Sequence, residues 1–98
     1  MKQLQTEEVK ELFKAIRSLK TEEEYYLFFE DAFTVKEILD LAQRLQAAKM
    51  LKNGENYVNV CKQTGMSSAT VSRVNRCLSY GNGGYELVLE RLKESEGK

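Results

Sequence analysis

The chain has no histidine, no tryptophan and no proline, and only two cysteines. Each absence removes a class of function. Without histidine, the commonest general base and the commonest zinc ligand are missing. Two lone cysteines, Cys61 and Cys77, do not make a metal site. No cofactor and no metal are expected. No nucleophile sits in a motif beside a base, and no pair of carboxylates is marked out for acid–base work, so the chain does not read as an enzyme. Each cysteine is expected to be a buried, reduced thiol, the usual state of a free cysteine. A disulfide between them stays open, because spacing alone does not fix their distance. Without proline, nothing interrupts a long helix. Long apolar runs are also lacking, so neither a signal peptide nor a membrane span is read, and a soluble, cytoplasmic protein is expected.

What remains is rich in Lys, Arg, Glu, Leu and Ala. Over 98 residues this predicts one all-α domain, 1–98. Fifteen basic and fifteen acidic side chains cancel. Their distribution does not. Residues 1–31 carry net −3, and residues 56–85 carry Lys62, Arg73 and Arg76 with no acid at all. A local positive field of this kind suits a surface that faces phosphates.

Capping signals divide the chain into six predicted helices. Thr6, followed by Glu7 and Glu8, opens the first, whose apolar face is Val9, Leu12, Phe13, Ile16 and Leu19, closed by Lys20. Thr21 to Glu24 is a capping box, and so is Thr34 to Glu37. The second helix carries a surplus of aromatics, five from Tyr25 to Phe33. The third runs to about Lys52 and stops at Asn53-Gly54. Its apolar residues cover more than half of its circumference, which predicts burial on two sides. In so short a chain the second side is most simply a partner subunit. Tyr80 to Gly84 lacks the lysine of a phosphate-binding loop and reads as a connection. A sixth helix follows, about 84–95, with Tyr85, Val88, Leu89 and Leu92 at packing positions.

Between them lies a helix-turn-helix at about 56–79. Val60 and Cys61 face inward from its first helix. Gly65 supplies the turn, Met66 fills the next apolar slot, Ser67 caps the second helix, and Val71 and Val74 face inward. The outward set is Ser68, Ala69, Thr70, Ser72, Arg73, Asn75 and Arg76. Small side chains permit close approach to a groove, hydroxyls and amides meet base edges, and arginines meet phosphates. Asn59, Lys62, Ser67, Ser68, Ala69, Thr70, Ser72, Arg73 and Arg76 are the candidate contacts to double-stranded DNA.

The segment from Phe33 to about Leu92 resembles the Trp repressor family. The resemblance rests on the capped opening Phe33-Thr34, on Leu41, Arg44 and Leu51, on the stop at 53–55, and on Gly65 through Leu78, densest at Ala69 to Arg73. The run from Thr70 to Tyr85 looks like the small YerC/YecD branch. The resemblance implies a six-helix subunit in an intertwined homodimer, with each helix-turn-helix standing out as a reading head. It also implies an effector pocket at Thr34, Arg44, Arg73, Val74 and Cys77, with Arg44 and Arg73 enclosing the ligand. Two positions depart from the family: Val74 stands in place of a glycine and Cys77 in place of a serine. The added bulk and the weaker polar partner argue against tryptophan itself as corepressor. The expected function is a dimeric DNA-binding transcriptional regulator, a repressor with no effector assigned. The alternative is a helical interaction module whose helix-turn-helix docks a protein.

Overall fold

The structure is a computed structural model that describes residues 2–96. It is all-helical across these residues. A short 3-10 turn, Lys2–Leu4, precedes α1 (Glu7–Arg17), α2 (Glu22–Ala32), α3 (Val35–Lys52), α4 (Tyr57–Thr64), α5 (Ser68–Tyr80) and α6 (Gly84–Glu96). No helix among the described residues is long and apolar enough to cross a membrane. By contacts the chain falls into two compact units, divided between Ile38 and Leu39.

Helix starts follow the polar residues that cap them. Thr6 accepts a hydrogen bond from the Val9 amide at 3.1 Å. The Thr34 box is reciprocal: Thr34 Oγ1 accepts from the Glu37 amide at 3.1 Å, and Glu37 Oε1 accepts from the Thr34 amide at 2.9 Å. Those bonds favour the charged form and hold the Glu37 carboxyl below its usual range. The Thr21 box is shifted by one residue. Thr21 Oγ1 accepts from the Glu24 amide, but the Glu24 carboxylate reaches back to the Lys20 amide at 2.8 Å. This bond belongs to a correction at the end of α1, which was expected to close at Lys20. Ser18 caps it instead, donating its hydroxyl to the Ala15 carbonyl at 2.6 Å. Lys20 then lies in the link, where its amide needs an acceptor from outside α1.

The first unit holds no fully buried side chain among the described residues. Its aromatics meet one another: Phe29 lies 6.2 Å from Tyr25, 5.9 Å from Phe28 and 5.2 Å from Phe33, between ring centres. These separations give favourable ring contact. Leu12, Phe13, Tyr26 and Leu27 nevertheless stay exposed.

The core lies in the second unit. Ala47, Ala48, Val60, Val71, Val74 and Leu89 are buried, with Leu45, Met50, Leu51, Cys61, Met66, Leu78 and Tyr85 packed around them. The apolar surface of α3 was expected to be buried on two sides, the second against a partner subunit; within the single chain Ala47 and Ala48 are buried, while Val35, Leu39 and Leu41 are exposed. One chain covers one side only. At its end, α3 stops as a Schellman motif: the Glu55 amide donates to Met50 and the Gly54 amide to Leu51. Lys52 then ties α3 to α6, with its ammonium 2.7 Å from Glu90 and 3.2 Å from Glu86. The bond to Glu90 raises the Lys52 pKa and lowers that of Glu90.

The α4 and α5 helices meet through a turn of three residues. Gly65 adopts φ +75° and its amide closes α4 onto the Cys61 carbonyl at 2.9 Å. A β-carbon there meets no atom, so the barrier to substitution is the left-handed backbone alone. Gly65→Ala is therefore expected to cost about 1–2 kcal/mol in a denaturant titration, with Gly65→Asn closer to wild type. Equal stability for the alanine variant would mean that the turn does not need this backbone.

Candidate nucleic-acid interface

Two caps build the exposed polar face of the second unit. Asn56 precedes α4 and its Oδ1 accepts from the Asn59 amide at 2.8 Å. Ser67 precedes α5 and its Oγ accepts from the Thr70 amide at 3.2 Å. The Ser67 and Thr70 hydroxyls lie 2.9 Å apart. Neither helix has an acid in its first turn; the Glu55 carboxylate lies beside the start of α4, whereas the positive end of the α5 dipole has no acid in its own first turn. Val71 is the residue whose amide bonds to the cap carbonyl, Ser67 O, at 3.0 Å. The Ser68 and Ala69 amides come before it and point out of the helix end, an arrangement that favours an oxyanion.

Most of the residues expected at a DNA surface lie on this exposed face. Ser67, Ser68, Ala69, Ser72, Arg73 and Arg76 are exposed, as is Lys62 on α4. Lys62, Arg73 and Arg76 form no salt bridge among the described residues. Their charge is therefore not neutralised among those residues. Thr70 and Asn75 are half-buried, which corrects their placement in the outward set. Both flank the buried stripe of Val71 and Val74, and the Thr70 hydroxyl is drawn toward Ser67.

Asn59 has a different environment. It is half-buried, and its Nδ2 donates to the Glu55 carboxylate at 2.6 Å. The sequence marked residues 56–85 as free of acid, but Glu55 stands one residue outside that window and takes up the Asn59 amide. Helix spacing held the signal, since positions 55 and 59 are one turn apart. The Gln43 side chain also donates to the Thr64 carbonyl at 3.3 Å, pinning the end of α4 to α3. Nothing in the motif pattern pointed to Gln43.

Behind the exposed face lies a cavity of about 220 Å³, lined by Arg44, Thr70, Arg73, Val74, Cys77 and Tyr85. Four of the five expected pocket residues, Arg44, Arg73, Val74 and Cys77, come together here. The fifth, Thr34, belongs to the first unit and serves as a helix cap. Tyr85 was read from apolar spacing as packing alone, and Thr70 only as a groove contact. Both line the cavity.

The cysteines differ from their expected state. Both are free, but Cys77 is exposed and Cys61 only half-buried. The inward stripe of α5 runs through Val71, Val74 and Leu78, so Cys77 falls at its margin, beside the cavity. No group of three His, Cys, Asp or Glu side chains among the described residues is placed to hold a metal ion.

Residues 7–93 match the family described as Trp repressor protein. The chain is 52% identical over 93 residues to an uncharacterised protein of Bacillus subtilis (strain 168), YerC, covering 95% of this chain and 89% of that one. A crystal structure of a TrpR-like protein from Eubacterium eligens superposes with a TM-score of 0.91 at 52% identity, covering 95% of this chain and 96% of the other. A candidate Trp repressor from Staphylococcus aureus gives a TM-score of 0.89 at 46% identity, with 94% and 92% covered.

In thiol titration of the native protein, Cys77 is expected to react in a fast phase and Cys61 more slowly. Cys77→Ser should remove the fast phase. Its persistence in that variant would contradict the exposed placement of Cys77.

Proposed function

The chain belongs to the Trp repressor family, and from that premise we propose that it is a homodimeric, sequence-specific DNA-binding regulator that represses transcription by occupying an operator. The observation that carries this reading is the exposed face of α5. Short side chains at Ser68, Ala69 and Ser72 leave room for a groove floor, and unpaired arginines at 73 and 76 follow them. A helix that lies in a major groove uses such a sequence of surfaces: close approach and hydrogen bonding at its N-terminal half, phosphate contact beyond. Lys62 extends the cationic strip onto α4. Ser67 and the amides after it provide a seat for one phosphate. Asn59 contributes by fixing the start of α4 through Glu55 rather than by reaching out.

Dimerisation follows from exposed apolar surface. The first unit has no buried core among its described residues, and Leu12, Phe13, Tyr25, Tyr26 and Leu27 all face solvent in one chain. On α3 and α6, Leu39, Leu41, Leu87, Val88 and Leu92 are exposed as well. Surfaces this apolar on a small protein mark an interface. A second copy of the chain supplies matching surfaces by symmetry. Such a dimer carries two reading heads and recognises two half-sites roughly 34 Å apart.

Two heads present Lys62, Arg73 and Arg76 twice. Affinity for a selected duplex should therefore fall about 10³-fold between 50 and 200 mM salt. Ser68→Glu places an acid at the head of α5 and should abolish that binding while the dimer remains intact in sedimentation. A duplex affinity insensitive to salt, or a Ser68→Glu variant that binds as before, would refute this orientation of α5. Flat, negligible DNA binding together with specific capture of a protein would instead favour a docking module.

A further inference from the structure

Two asparagines stand directly before a glycine, Asn53 before Gly54 and Asn82 before Gly83. Asparagine is a chemically labile residue, and most so in this setting. The next amide nitrogen can attack the side-chain amide carbon, and glycine has no β-carbon to shield that nitrogen. Sequence gives the two sites equal standing. Exposure does too, since all four residues are exposed. Hydrogen bonding separates them. At the end of α3 the successive amides of Asn53, Gly54 and Glu55 donate to the Lys49, Leu51 and Met50 carbonyls at 3.1, 3.0 and 3.1 Å. The Gly54 nitrogen is occupied, and its attack requires that the stop of α3 first open. Between α5 and α6 the pattern is broken. The Gly81 amide still donates to the Cys77 carbonyl at 2.9 Å, and the Leu87 amide to the Gly83 carbonyl at 3.0 Å. The amides of Asn82 and Gly83, and the Asn82 side chain, have no hydrogen-bond partner among the described residues. A β-carbon built at Gly83 meets no atom, so the space around the attacking nitrogen is open.

We infer that Asn82 is a site of spontaneous covalent modification, deamidating in the folded protein while Asn53 is protected. The Gly83 nitrogen gives up its proton to solvent base and attacks Cγ of Asn82. A C–N bond forms, the bond from Cγ to the side-chain nitrogen breaks, and ammonia leaves with a proton from water. The resulting succinimide takes up one water. Opening at Cγ gives aspartate, and opening at the main-chain carbonyl gives isoaspartate. The net change is asparagine plus water to either product plus ammonia, with no oxidant or cofactor. Both products carry a carboxylate, the first in the otherwise acid-free stretch 56–85. Aspartate keeps the chain path and lies just before α6, where the helix dipole favours negative charge. Isoaspartate instead lengthens the main chain by a methylene between α5 and α6, the helices that contribute Val74 and Leu89 to the core.

The test is incubation of the full-length protein at mildly alkaline pH, folded in one arm and unfolded in guanidinium chloride in the other. Cleavage after lysine and arginine places Asn53 and Asn82 in separate peptides. Mass spectrometry then follows each one through the mass gain of replacing an amide NH2 by OH, and electron-based fragmentation distinguishes aspartate from isoaspartate. In the folded arm Asn82 should convert roughly 10-fold faster than Asn53, the factor set by the Gly54 hydrogen bond. In the unfolded arm that bond is gone and the two rates should converge. Conversion of Asn53 as fast as Asn82 in the folded protein, or an Asn82 that stays intact there, would overturn the assignment. A difference that persists in guanidinium would overturn it as well, because the selectivity would then come from neighbouring residues and not from the fold.

Discussion

The second unit depends on one constraint: α5 must cross α4 closely enough for Val60 and Val71 to be sealed in the same core. Both are fully buried, and each contributes about 1.5–3 kcal/mol through burial. The turn between the helices is only Gly65, Met66 and Ser67. The left-handed backbone at Gly65 ends α4 abruptly, and Ser67 starts α5 with its own side chain. Ala47 and Ala48 on α3 are small enough to lie flat beneath this pair, with no exposed surface. Larger side chains at those positions would push the motif away from α3. The Gln43 bond to the Thr64 carbonyl and the Lys52 bridges to α6 hold the same support from both ends.

The exposed polar face is a consequence of that packing. Once Val71 and Val74 are turned inward, helical period leaves Ala69, Ser72, Arg73 and Arg76 on the far side, with Ser68 exposed at the helix start. Charge is arranged to match. The lysines at 49 and 52 are paired with α6 carboxylates, whereas Lys62, Arg73 and Arg76 form no salt bridge among the described residues. The two lysines at the end of α3 are thus neutralised by α6, and the cations of α4 and α5 are not paired among the described residues. Net charge for the chain, which is zero, hides this separation.

Much of the backbone was legible because its signals are local. Thr6, Thr21, Thr34, Asn53-Gly54, Gly65 and Ser67 each mark a helix end through bonds to residues within a few positions. The end of α1 was misplaced because Ser18, rather than Lys20, caps it, its hydroxyl donating to the Ala15 carbonyl. The surroundings of Asn59, Thr70, Cys77 and Tyr85 were harder to read. Burial at these positions depends on which helices converge, and no local pattern encodes that. The pair Glu55–Asn59 was visible as a one-turn spacing but lay across the edge of the acid-free window.

In the proposed regulator, two copies of this motif read one duplex together. The most direct measurement is a hydroxyl-radical footprint on a duplex selected from random sequence. Two protected windows are expected whose centres lie about 10 base pairs apart, one helical turn, related by a two-fold axis. A single protected window, or two windows with no fixed spacing, would contradict it.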